Sequence, residues 1–399
     1  MSNQSTPCFF PMNNVIQNYA WGSKTSIHEL FGIENSQEEP QAEIWMGAHP
    51  NGCSEVQFNG NNLLLSQLID NDKAAFLSLE TAEKFGQLPY LFKVLAAASA
   101  LSIQVHPSKE MAEQGFAKEE LQGIPLKAAH RNYKDPNHKP ELVFALTDYQ
   151  AMNGFRNFDS IISLFKQANI EALEQLVAEF ASNVTSVGLR SFFTKLLSLE
   201  GDEKALAVAQ LMAFAEKNSD STLYSLILKL EKQYPGDIGL FAPLMLNIIT
   251  LKPGEAMYLD ALTPHAYIEG TGLEIMANSD NVLRAGLTPK HMDVEELVGC
   301  TLFQEKPEGT LLLKPQELEG AQHYAIPVPD FNFSVYTASE DRLIEVTSAE
   351  ILLPIDEALV VKHESGESIT IEKGQSVFIP AYTKSYTLSC AGRVARAYN

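Results

Sequence analysis

Lys252-Pro-Gly-Glu-Ala-Met-Tyr-Leu259 and Glu372-Lys-Gly-Gln-Ser-Val-Phe-Ile379 are two versions of one phrase, set far apart in a chain of 399 residues. Each puts a glycine turn ahead of a short apolar run, and a proline follows each run. Glycine feeding a strand, with proline closing the segment after it, is β punctuation. A phrase repeated in this way predicts two copies of one β unit. The copies differ where they end: the first runs into Pro264-His265, the second into Pro380-Ala381-Tyr382, with no histidine at the matching place. A metal is therefore expected in the first unit, and a structural role for the second.

Working outward, residues 1 to about 106 keep the same β texture, with short apolar runs such as Ala42–Gly47 and Leu88–Val94 broken by Gly, Asn and Pro. A polar segment of helical spacing interrupts it between Ser108 and Gln122, and strand texture returns from Glu141 to Leu146. The texture then changes. No proline occurs between Pro140 and Pro235, and apolar residues recur at three- and four-residue steps: Ile161, Leu164 and Phe165; Leu173, Leu176 and Val177; Leu223, Ile227 and Leu230. This predicts a block of amphipathic helices from about Phe158 to Tyr234, with Asp159, Asp202 and Ser221 as caps. The expected division is 1–157 with 236–315, a helical unit at 158–235, and a second β unit at 316–399.

Hydrophobic residues make up 45% of the chain, enough for a sizeable core. No apolar run reaches the roughly 18–20 residues that cross a bilayer, and the start, MSNQSTPCFFPMNN, has no cationic leader pattern. Cys8, Cys53, Cys300 and Cys390 lie far apart with no CxxC pair. They read as reduced thiols of a cytoplasmic protein. A net charge of −21 argues against nucleic acid or an anionic membrane as partner. A phosphorylated ligand would need a local cluster of Lys and Arg working against that field.

Leu101-Ser-Ile-Gln-Val-His-Pro107 reads as a strand stopped by proline, with Ser102, Gln104 and His106 on one face and Ile103 and Val105 on the other. Alone, the segment fits a solvent-facing edge strand better than a site. Glu141 opens an otherwise apolar strand, and an acidic residue there calls for a cation. His265 begins another strand after a turn. Together Gln104, His106, Glu141 and His265 offer two nitrogens and two oxygens, a set that suits zinc. With a single carboxylate, such a site keeps net positive charge and can stabilise an oxyanion. Farther on, Glu274, Met276 and Asn278 alternate onto one face, and Arg284 and Lys290 form a basic pair able to clamp a phosphate. The plainer alternative pairs Arg284 with Asp280 or Glu274. His49, in a Gly-Ala-His-Pro turn, reads as a packing or turn residue, and His130 as solvated.

The repeated phrase resembles the second half of the cupin motif, which implies two jelly-roll barrels. A more specific likeness spans residues 19 to 290. Tyr19-Ala-Trp-Gly22, Ala42–Pro50, Leu88–Leu95, Leu101–Pro107, Tyr133–Glu141 and Pro264-His265 through Asn278–Lys290 resemble, in order, blocks of the type I mannose-6-phosphate isomerases. The resemblance implies a mainly β protein with an α-helical insertion and two cupin-like barrels. It implies one Zn²⁺ per chain on Gln104, His106, Glu141 and His265, with Arg284 in the active site and Lys93, Ser102, His138, Lys139, Glu274 and Lys290 lining the pocket. The implied reaction is aldose–ketose isomerisation of a sugar phosphate, D-mannose 6-phosphate to D-fructose 6-phosphate, through a cis-enediol. Lys93, Ser102 and Lys290 are expected to hold substrate or phosphate, and the chain to act as a monomer. His138, Lys139 and Glu274 are the candidates for proton movement, with a water on the metal as a fourth; the sequence does not choose among them. A cupin oxygenase would more usually carry a histidine-rich iron set, and a non-catalytic sugar-phosphate binder would share the pocket without turnover.

Overall fold

The computed structural model describes residues 6–399. Both repeated phrases form the predicted turn and strand: Gly254 and Gly374 take φ of +93° and +77°, and the strands Ala256–Leu259 and Ser376–Ile379 follow them. Glycine carries no Cβ penalty in that left-handed region, which is why the phrase turns where it does.

The molecule is mainly β, with a helical insertion. The first β unit is a 10-stranded antiparallel sheet that wraps into a barrel. Its organising element is the long strand His265–Ala277. The beginning of this strand pairs with Gln104–Val105 and Tyr149–Phe155, and its end with Tyr90–Ala97 and Glu141–Ala145. The register shifts between Tyr267 and Glu269, just before the strand takes up its pairing with Tyr90–Ala97 and Glu141–Ala145. One strand therefore brings segments from four parts of the chain to one place.

The second β unit packs a four-stranded sheet on a nine-stranded one. Apolar residues alternate inward from both, among them Leu352, Val377, Leu359, Val361 and Leu388. Phe10–Asn13, Glu55–Phe58 and Asn61–Leu64 extend that nine-stranded sheet, so its boundary differs from the sequence division at 316. A shared core of Phe92, Phe144, Phe333, Ile351 and Ala395 joins the two units. Tyr90 Oη lies 3.0 Å from the carbonyls of Ala349 and Ala397, tying the first unit to the second.

Helices fill the predicted block from Phe158 to Gln233. The caps differ in detail. Asn157, not Asp159, accepts from the first free N–H groups; Asp202 lies inside a first turn; Ser221 occupies a cap position without a side-chain bond. The β texture of the first 106 residues also hides four short helices, Ser26–Phe31, Leu65–Asp70, Lys73–Leu77 and Leu79–Phe85. The helical block is more than a cover. Its buried Phe165, Phe192 and Leu196 belong to the same core as Ile103, Val105, Leu283 and Ala285, the apolar backs of the two short strands beside the candidate site. Among the described residues no helix is long and apolar enough to cross a membrane.

Candidate active site

The alternation predicted for residues 101–107 holds on its apolar face: Ile103 and Val105 are buried against the helical block. Opposite them, Gln104 lies in register with His265 on one side and Arg284 on the other. Glu141 starts the next strand and is 2% exposed. His106 Nε2 lies 3.3 Å from Glu141 Oε1, and His265 Nε2 lies 3.5 Å from Glu141 Oε2.

The outer nitrogens fix how these rings are protonated. His106 Nδ1 donates to the Asn281 carbonyl at 2.6 Å, and His265 Nδ1 to the Thr263 carbonyl at 2.8 Å. In the neutral ring, each of these bonds leaves the Nε2 lone pair facing the Glu141 carboxylate. His106 Nε2 is fully buried with no hydrogen-bond partner. Burial first, and the Lys139 charge second, push the pKa of His106 down to about 4, which keeps that nitrogen unprotonated near neutral pH. Two imidazole lone pairs facing one carboxylate fit a cation with nitrogen and oxygen ligands. Carbonyls holding the far sides of the rings are what a metal-binding histidine needs. These are the only His, Cys, Asp or Glu residues among those described that cluster closely enough to hold a metal. Gln104 stands beside them as a neutral oxygen donor.

The group opens into a cleft of about 280 Å³ lined by Lys93, Gln104, Lys139, Glu141, His265, Glu274, Arg284 and Lys290, all named from sequence. Two other candidates lie elsewhere. Ser102 is half-buried and does not line the cleft. His138 Nε2 instead pairs with Asp330 of the second β unit at 3.0 Å.

The cations fall into two kinds. Lys93 Nζ lies 2.8 Å from Glu274 and 3.6 Å from Glu43. Burial alone would lower its pKa, but these two carboxylates raise it well above the usual lysine range. Lys139 Nζ sits 2.9 Å from Glu141 Oε1. Burial would lift the Glu141 carboxyl, yet the Lys139 charge, the largest opposing influence, holds it well below the usual range. Arg284 and Lys290 have no acidic partner within 4.0 Å among the described residues. Burial lowers the pKa of both, and the Arg284 charge lowers Lys290 further. Two cations without a carboxylate partner, in a cleft whose two lysines Lys93 and Lys139 are tied to carboxylates, are a place for an anion.

Several residues of the cleft had no role assigned from sequence. Glu43 accepts from Trp45 Nε1 at 2.6 Å and pairs with Lys93. Tyr267 Oη lies 2.8 Å from both Glu141 and Glu274. Asp280 is held by Asn51 at 2.8 Å and by His49 at 3.4 Å. His49 is buried edge-on against Trp45 and accepts the Asn51 N–H, so it does stabilise its turn. His130 is exposed, as expected. Alternation within Glu43-Ile-Trp45 was the available signal for the first pair. That Lys93 stands opposite Trp45 emerges only from the sheet.

Residues 9–158 match the catalytic domain of phosphomannose isomerase type I, residues 161–246 its helical insertion domain, and residues 321–399 the mannose-6-phosphate isomerase cupin domain. The chain is 47% identical over 388 residues to the mannose-6-phosphate isomerase of Salmonella typhimurium, covering 97% of this chain and 98% of that one. It is 35% identical over 414 residues to the human mannose-6-phosphate isomerase, with 94% of each chain covered. A crystal structure of the Salmonella typhimurium enzyme bound to its substrate fructose 6-phosphate and a zinc atom superposes with a TM-score of 0.93 at 46% identity, covering 98% of this chain and 100% of that one.

Proposed function

This chain belongs to the type I phosphomannose isomerase family, and from that premise we propose that it interconverts D-mannose 6-phosphate and D-fructose 6-phosphate through a cis-enediol, with one zinc ion per chain. The observation that carries the reading is the pairing, in one cleft, of a buried His-Glu-His group whose lone pairs converge and a cationic end that lacks an anion. His106, Glu141, His265 and Gln104 would hold the metal. When bound, it would supply Lewis acidity at the sugar oxygens where negative charge develops.

The remaining work falls to the chain's own groups. Arg284 and Lys290 take the phosphate or steady the anionic intermediate; their lack of carboxylate partners supports this role. Lys93 is committed to Glu43 and Glu274, so it orients Glu274 more than it grips phosphate. Glu274 and Lys139 both line the cleft, which supports them as the groups that move a proton between C1 and C2. His138 and Ser102 do not line it. The reading takes the helical block and the two β units as three structural units, and one chain as a complete catalyst. A cytoplasmic setting accords with four free cysteines.

Turnover of mannose 6-phosphate, measured before and after metal stripping, tests the proposal. Activity lost on chelation and restored by zinc supports it. A folded, zinc-loaded protein without turnover overturns it in favour of a sugar-phosphate binder.

A further inference from the structure

We infer that Asn281 is a positioning residue of the metal centre, one that locks His106 to the loop delivering Glu141. Asn281 is fully buried, and it does not line the cleft although its neighbours Asp280 and Val282 do. Its side chain clamps one loop from both ends of the amide. Oδ1 accepts from the backbone N–H of Lys134 at 2.6 Å and of Asp135 at 3.3 Å. Nδ2 donates to the carbonyls of Asp135 at 2.7 Å and Asn137 at 2.8 Å. Both acceptor and donor capacities of the carboxamide are thus used, which no carboxylate or hydroxyl of similar size reproduces. The same residue's own carbonyl accepts the His106 Nδ1–H at 2.6 Å, the bond that leaves His106 Nε2 facing Glu141.

The clamped loop leads through Lys139 directly into Glu141. A second strap runs parallel: Asp135 accepts from the Asp280 N–H at 2.7 Å and from Ser279 Oγ at 2.8 Å. Downstream of Asn281 the chain continues into the short strand that carries Arg284. One buried amide therefore sets the distance between ligands that arrive on separate strands, and carries Arg284 in the same frame. Groups behind a metal's direct ligands typically change metal affinity about 10–100-fold when altered.

The inference rests on the zinc reading above, and the experiment separates the two. Zinc affinity is measured by chelator competition on the full chain and on Asn281→Asp and Asn281→Ala, with thermal melting of the metal-stripped proteins alongside. Asn281→Asp keeps the shape but turns a donor into an acceptor facing two carbonyls. Zinc binding weakened about 10–100-fold in both variants is the expected result. Variants that melt earlier yet bind zinc within about twofold of the native chain would reduce Asn281 to a loop staple and overturn the inference. A native chain that binds no zinc would instead sink the metal reading itself. Should neither Asn281 variant fold, Asp135→Asn loosens the parallel strap; a smaller loss of zinc affinity is then expected, and an unchanged affinity overturns the inference.

Discussion

Glu141 and Glu350 occupy the same place in the internal repeat. Glu141 lies opposite Leu259, where the first repeated strand ends, and Glu350 opposite Ile379, where the second ends. Each opens its own strand, and each is buried. The surroundings then diverge. Glu350 has Arg396, whose guanidinium bonds Oε2, donates to Tyr336 Oη and the Glu345 carbonyl at 2.9 Å, and stacks 4.2 Å from the Tyr398 ring. Burial pushes the Glu350 carboxyl up, and Arg396 pulls it back. Glu141 has His106 and His265, each presenting a lone pair. Its one protein cation, Lys139, comes on a flexible stem at the cleft wall. The same buried anion is thus enclosed in one unit by a guanidinium and its bonded neighbours, and in the other faces a lysine and two imidazoles among which an exchangeable cation fits. The first choice closes the site; the second leaves room for substrate.

The largest effect should come from removing the anion on the catalytic side. Glu141→Gln should cost roughly 10³-fold or more in kcat, since several kcal/mol of charge stabilisation go with the metal. Zinc content of the purified variant, read by metal analysis, should fall with it. Full zinc occupancy in Glu141→Gln would break the comparison. On the other side, Arg396→Met leaves Glu350 a buried, unpaired carboxylate and should destabilise the fold by about 3–5 kcal/mol. Adding Glu350→Leu should recover most of that loss, because replacing both members of a buried pair by apolar groups is often near neutral. Urea unfolding of the single and double variants measures it. A double variant no better than the single would mean that Arg396 matters for its bonds to Tyr336 and Glu345, not for Glu350.

How far this contrast was legible in the sequence follows from the range of each signal. Strand alternation is local, and it sorted Gln104 and His106 from Ile103 and Val105. His138 precedes the strand that Glu141 opens and turns to Asp330, while Lys139 and Glu141 line the cleft. The helical block announced itself by its period, but nothing in it says that Phe165 and Leu196 sit in one core with Val105. Glu43 needed the register that sets Trp45 against Lys93. The repeated phrase pointed to two β units and a missing histidine. It could not show Arg396 in place of the metal, because that partner arrives on the last strand of the chain.

A smaller effect should attend Arg284. Arg284→Ala removes one of two unpaired cations and should lower kcat/KM about 10²-fold, the usual cost of one charge-stabilising donor, with zinc content and melting temperature held. Arg284→Lys keeps charge but loses the planar fork and should fall between. Equal activity of the Ala and native proteins would hand the anion site to Lys290 alone.

The smallest effect, and the sharpest on the comparison, is in pH. His106 in the folded chain titrates at about 4 against 6.5 for an ordinary histidine. Between those values the unfolded chain holds a proton that folded His106 lacks, so unfolding takes up a proton and stability falls as pH drops through that window. Above about 6.5 the group contributes no slope. The limit is about 1.4 kcal/mol per pH unit for one such group. Urea unfolding of metal-stripped protein from about pH 7 to 4 should therefore show an extra slope that His106→Asn removes, whereas the Arg396→Met, Glu350→Leu double variant keeps it. Zinc should stabilise most near neutrality and lose its hold as protons compete for Nε2. A native chain with no more slope than His106→Asn would mean that His106 takes a proton inside the fold. In that case His106 would join Lys139 as a second protein cation on Glu141, and the place for an exchangeable cation would close as it does around Glu350.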